Sequence, residues 1–171
     1  GHADRRIRYE SQWELARRGE LQPMVEIAID AKSSSIARLH SIWGADQIDR
    51  LDGDQTVATE STLAPLLNDD DASLRAAAAK VMGERANPAS AEQLLSLLDD
   101  DSPRVRYFAA MALAKLRYGA ALPKIVRLLD ENNNQDPAIR HAGVMFLASV
   151  KDKQRLVSLT NHKSVSVRRT A

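Results

Sequence analysis

The sequence predicts an all-α fold, a right-handed α-solenoid of about five and a half helix pairs, and three observations carry that prediction. First, an Asp or Ser able to cap a helix is followed four residues later by Arg at Asp4/Arg8, Ser34/Arg38, Asp71/Arg75, Ser102/Arg106, Asp136/Arg140 and Ser164/Arg168, so that successive Args lie 30, 37, 31, 34 and 28 residues apart. Second, the residue before each Arg is apolar (Ile7, Ala37, Leu74, Val105, Ile139, Val167), and an apolar or small residue recurs seven after it (Leu15, Ala45, Met82, Leu113, Leu147). Third, a separate apolar segment precedes most signatures: Met24 to Ile29, Leu63 to Leu67, Leu94 to Leu98, Leu122 to Leu129 and Leu156 to Leu159.

Each signature opens an amphipathic helix. Positions minus one, plus three, plus six and plus seven relative to the Arg share one stripe of a 3.6-residue helix. The Asp or Ser oxygen can accept from an amide left unpaired in the first turn. Pro103 and Pro137 stand at the first helical position, where the missing N–H costs nothing. The leucines of Leu94-Leu95-Ser96-Leu97-Leu98 fall in pairs three apart, which is helical spacing, so each period is a helix pair. The runs Asp69-Asp70-Asp71 and Asp99-Asp100-Asp101 read as turn and cap chemistry, ending one helix and bringing negative charge to the amide end of the next.

Composition agrees. The chain is 44% hydrophobic with two Phe, three Tyr and two Trp, so its interior is Leu, Ala, Val and Ile. At this length about 70% of the unfolded surface can be buried, in a ribbon where each repeat touches mainly its neighbours. The repeats read as 1–18 (partial), 19–50, 51–86, 87–118, 119–150 and 151–171 (truncated), one domain over 1–171. Gly1 reads as a residue left by tag removal, and the last helix stops three residues after Arg168, so a fragment of a larger protein is expected.

Asp71-Ala72-Ser73-Leu74-Arg75-Ala76-Ala77-Ala78-Ala79 and Ser102-Pro103-Arg104-Val105-Arg106-Tyr107-Phe108-Ala109-Ala110 resemble the second helix of HEAT repeats, closest to the short type named after phycobilisome lyases. The resemblance spans nearly the whole chain and implies a scaffold, an adaptor or, in a few members, an enzyme. A narrower resemblance rests on Arg5-Arg6-Ile7-Arg8-Tyr9-Glu10-Ser11-Gln12-Trp13-Glu14-Leu15-Ala16 and on Ala37-Arg38-Leu39-His40-Ser41-Ile42-Trp43-Gly44. Both are similar to the HEAT segment of very large secreted bacterial proteins that joins a β-propeller domain to a c-type cytochrome domain. This implies an extracytoplasmic setting, although a chain without Cys has no haem attachment site of its own.

Charge and motifs narrow the function. Net charge is +1, and 15 Asp are interleaved with 17 Arg, where a nucleic-acid binder shows a basic face and a high pI. Nucleic acid is therefore the disfavoured partner. A DNA-repair glycosylase on HEAT-like repeats, with Trp13, Trp43, Tyr9 and the Args lining a groove, is the enzyme alternative; an accessory chain for chromophore attachment is a weaker one. No HExxH, GxGxxG, P-loop or CxxC occurs, and no enzyme activity is expected. His2, His40, His141 and His162 are scattered and read as packing or solvated residues. Asp49, Asp52 and Asp54 around Gly53 read as a solvated acidic loop, lacking the order of a calcium loop. Asn132-Asn133-Asn134-Gln135 reads as a polar turn. No cofactor and no metal are expected.

Two sets of side chains stand out. The signature Args Arg8, Arg38, Arg75, Arg106, Arg140 and Arg168 would form a structural ladder reaching the Asp or loop carbonyls of adjacent layers. Positions plus one and plus five point away from the buried stripe, which in HEAT arrays is the inner, concave side. They read Tyr9 and Trp13, Leu39 and Trp43, Ala76 and Lys80, Tyr107 and Met111, His141 and Met145. Large apolar groups there either lean into the core between repeats or form a protein-binding stripe. The expected role is a non-enzymatic scaffold, monomeric in isolation, presenting that stripe to a protein or to other domains of its parent chain, with no membrane involved.

Overall fold

The computed structural model describes residues 2–52, 61–150 and 152–171, and among them all regular structure is helical. Backbone contacts divide the chain into two compact units, Gly1–Val81 and Met82–Ala171.

In the first unit α1 (Arg5–Arg17), α2 (Leu21–Ile29) and α3 (Ser35–Asp52) are followed by a 3-10 turn, Ala64–Asn68, and by α4 (Ala72–Arg85), which carries on into the second unit. α1 stops because Gly19 takes φ +70°. That lets the Glu20 and Gly19 amides fold back onto the Leu15 and Ala16 carbonyls at 3.0 Å each, the doubly bonded stop that favours glycine. α1 and α2 both pack on α3, enclosing Ala16, Met24, Val25, Ala45 and Ile48. α2 can come this close because Gly44 faces it: a Cβ there would lie 2.3 Å from the Met24 sulfur.

The second unit continues with α5 (Ala91–Ser96), extended by the 3-10 turn Leu97–Asp99, then α6 (Pro103–Lys115), α7 (Leu122–Asn132), α8 (Pro137–Ser149), α9 (Lys153–Leu159) and α10 (Val165–Thr170). α6 lies on α5 and α8, α7 on α8, and α10 on α7 and α8. Leu94, Val105, Leu113, Ile125, Ile139 and Phe146 are buried between them. Gly83, at the end of α4, meets α6 almost backbone to backbone, a Cβ on it falling 2.6 Å from the Ala112 Cα.

All six signature helices begin at the residue after the cap. Asp4, Asp71 and Asp136 accept from the amide two residues on, at 2.8, 2.7 and 2.8 Å. The Ser34 hydroxyl accepts from Ala37 N at 3.3 Å, while Ser102 and Ser164 make no side-chain cap bond. One expectation is corrected. α3 runs on to Asp52, so the acidic loop expected around Asp49 is helix there, and Asp49 is buried at 3% exposure beside Ile48 on the inward side of α3. Gly53 and Asp54 lie outside the described residues.

Candidate functional site

The signature Args bind mainly the turn in front of their own helix. Arg75 donates from Nη1 to the Asp69 and Asp70 carbonyls at 2.7 and 3.0 Å, and Arg106 to Asp100 and Asp101 at 2.6 and 3.0 Å. Arg168 does the same to His162 and Lys163 at 2.6 and 2.8 Å, and Arg8 to His2 and Ala3 at 2.6 and 2.7 Å. In each case the Nη1 group, which carries two hydrogens, donates to the carbonyls six and five residues back. These contacts lie within one repeat; the expected reach to an Asp of the adjacent repeat is made by Arg38.

The residue six before the Arg completes the device. The side chains of His2, Asp69, Asp100 and His162 accept the backbone N–H of the capping residue at 3.0, 2.9, 2.8 and 3.1 Å. Sequence reasoning passed over this position, although a side-chain acceptor recurs there in register.

Two Args depart from the pattern. Arg38, 7% exposed, donates from Nε to the Ala28 carbonyl at 2.9 Å and from Nη2 to Asp69 Oδ2 at 2.5 Å, which ties α3 to the next turn along the chain. Asp71, in the same turn, is held below the usual carboxylate pKa by hydrogen bonds from the Ser35 hydroxyl and the Ser73 amide. Arg140 is exposed, and its side chain makes no hydrogen bond or ion pair with a described residue. Its turn is built differently: Asn133 and Asn134 take φ +44° and +61°, and the Asn132 amide brackets the Asp136 backbone, donating at 3.1 Å and accepting at 3.0 Å.

The aromatic stripe is solvent-facing in the first unit. Tyr9, Trp13 and Trp43 keep 51%, 48% and 37% of their surface, and Leu39 is half-buried. Tyr9 and Trp13 are tilted neighbours with ring centres 6.0 Å apart. Tyr9, Leu39 and Trp43 share an open groove of about 440 Å³ between α1 and α3 with Arg5, Arg8, Gln12, Ile36 and His40; Trp13 is not among the groove's lining residues. The Trp43 and His40 rings form a T-shaped pair with centres 5.4 Å apart.

His40 is fixed by its partners. A guanidinium only donates, so the Arg8 Nε–H directed at His40 Nε2 at 3.4 Å leaves the proton on Nδ1, which donates to Gln12 Oε1 at 2.8 Å. Burial first, then the positive charges of Arg8 and Arg5, push the His40 pKa down. The imidazole is thus a neutral strut between α1 and α3.

In the second unit Tyr107 and Met111 are half-buried, His141 is exposed, and Met145 and Val144 keep 42% and 41% of their surface. Tyr107 packs edge-on against Phe108 at 5.0 Å, with the Arg104 guanidinium 5.8 Å above the Phe108 ring. In the intervening repeat Ala76 is buried and Lys80 exposed, so the stripe is not apolar there. Among the described residues no three His, Cys, Asp or Glu converge as a metal cage.

Repeated helix pairs, a cap and Arg at each second helix, and packing between sequence neighbours describe a repeat array. A family model for HEAT repeats matches residues 59–136. Over this stretch the chain is similar to HEAT repeats. HEAT repeats generally mediate protein interactions and are typically non-catalytic. No curated protein matches the chain. Among the described residues no helix is long and apolar enough to cross a membrane.

Proposed function

We propose that this chain is a non-enzymatic, protein-binding solenoid segment whose second helices present their plus-one and plus-five side chains to a partner or to neighbouring domains of a parent protein. The observation that carries the reading is exposure in register: Tyr9, Trp13, Trp43 and Met145 all occupy those two positions and are more than a third exposed. Buried aromatic and Met side chains supply most of an interface's affinity, and repeats that each contact only their neighbours hold such groups on a firm scaffold.

The short phycobilisome-lyase type, membership of a large extracytoplasmic propeller and cytochrome protein, and a monomeric state belong to the same proposal. A nucleic-acid enzyme is the second reading, favoured by Arg5 and Arg8 beside Tyr9 and Trp43. Against it, no carboxylate stands among the described residues lining that groove, whereas base-excision chemistry needs one.

The test is a titration of the protein with a peptide selected from a random library for binding to it, followed by the indole N–H signals of Trp13 and Trp43. Shifts of both signals are expected. A selected peptide that binds tightly yet leaves both indoles unmoved would overturn the assignment of this face.

A further inference from the structure

In the second unit the charges are sorted by helix. The second helices α6, α8 and α10 contain Arg104, Arg106, Lys115, Arg140, His141, Arg168 and Arg169 and not one Asp or Glu. Apart from Glu84, at the end of α4, which takes Lys115, the carboxylates of this unit stand on first helices, turns and caps, where Asp99 pairs with Lys124 and Arg127. Arg104, Arg140, Arg168 and Arg169 are exposed and form no ion pair with a described residue. Arg140 has been released even from the turn that its counterparts clamp. Exposed cations of one sign raise the local potential for an anionic partner.

We infer that this face binds an acidic peptide segment carrying apolar side chains, the carboxylates meeting Arg104, Arg140 and Arg169 and the apolar groups resting on Val144 and Met145. This inference rests on the protein-binding reading above and names the partner's chemistry. Arg is suited to it because its fork takes a carboxylate through two bonds, and His141 adds charge below neutral pH. A protein segment fits better than a nucleic acid. Nucleic acid asks for a series of stacking rings, whereas the two rings here pack on each other and α8 offers aliphatic groups instead.

The experiment uses the 171-residue chain and three probes: a flexible peptide of recurring Glu, Leu and Gly, the same peptide with Gln for Glu, and a single-stranded oligonucleotide. The Glu peptide is expected to bind, and the Gln peptide at least about tenfold more weakly, because the difference between them is the charge that steers and holds the segment. Binding should weaken as salt shortens the screening length. The oligonucleotide should bind more weakly than the Glu peptide. The combined change Arg104→Glu, Arg140→Glu and Arg169→Glu should abolish binding while helix content and thermal midpoint stay in place. Arg140→Gln alone should lower affinity a few fold and covers the case in which the triple variant misfolds.

Equal binding of the Gln peptide, tighter binding of the oligonucleotide, indifference to the Arg changes, or no binding of the Glu peptide would each overturn the inference. If a library-selected peptide still moves the Trp13 and Trp43 indoles, the protein-binding reading survives that failure. If it does not, both fall.

Discussion

Arg38 and Asp69, 31 residues apart in sequence, meet as an ion pair with Nη2 2.5 Å from Oδ2, their side chains only 9% and 15% exposed. Arg38 reaches forward along the chain to Asp69 as well as back to Ala28. Its turn supplies Lys32 where the other turns offer an acceptor, and its guanidinium turns instead to Ala28 and Asp69. Removing one member of a nearly buried pair strands the other, so Arg38→Ala should cost about 3 kcal/mol or more in a denaturant titration. Arg106→Ala, which loses two bonds to carbonyls, should cost about 1–3 kcal/mol. Arg140→Ala should stay within about 0.5 kcal/mol, as for any surface change that breaks nothing. A flat series would show that these contacts contribute little.

Gly83 gives a sign test. On helix propensity alone, Gly→Ala inside α4 would stabilise by about 0.5–1 kcal/mol. The new Cβ, however, would lie 2.6 Å from the Ala112 Cα, a backbone atom that cannot step aside alone. Overpacking costs about 1–3 kcal/mol, so Gly83→Ala should lower the unfolding midpoint. Gly119→Ala is the control, since nothing stands within 4 Å of its Cβ. It should be neutral to within about 0.5 kcal/mol.

Arg117 ends α6 with φ +51°, its amide and that of Tyr118 bonding back to Ala114 and Leu113 at 3.0 Å each. Gly19 makes the same stop without strain. Left-handed backbone costs a residue with a side chain about 1 kcal/mol, so Arg117→Gly should raise stability by up to that amount, measured as a higher midpoint at unchanged slope. A lowered midpoint would mean that the Arg117 side chain contributes more than its backbone strain removes.

His40 makes stability depend on pH. Its folded pKa lies below the unfolded value of 6.5, so the unfolded chain takes the proton first. The contribution is fully present above about pH 6.5 and is lost as pH falls through that value towards the depressed folded pKa. Protonation also ends the Arg8 to Nε2 contact. Wild type should therefore lose more stability than His40→Asn between about pH 7 and pH 5.5, above the range of the carboxylates. Identical curves would remove His40 as the titrating group.

The helix pairs were legible in the sequence because their signals are local. Asp4, Asp71 and Asp136 cap through bonds spanning two residues, and a buried stripe needs only a periodicity. The use of Arg75 or Arg106 was not legible, since one side chain can curl back over its own turn or reach to the next repeat, and the spacing is the same for both. Asp49 was misplaced for a related reason: Asp, Arg and Gly cluster in loops, yet the apolar stripe of α3 through Ala45 and Ile48 carries the helix past them. Exposure of Trp13 and Trp43 was open for a third reason, because it depends on how far α1 and α3 leave each other uncovered. Gly44 and Gly83 gave no sign in one sequence that neighbouring helices approach them to within a methyl group.

The central claim, that the exposed aromatic register is a binding face and not a poorly covered core, is tested most directly by comparing affinity with stability for Trp43→Ser. With a library-selected peptide as the probe, the account predicts that affinity falls at least about tenfold. Stability should fall by clearly less than the 3–5 kcal/mol typical of truncating a buried aromatic. Unchanged affinity together with a full core-sized loss of stability would contradict the claim.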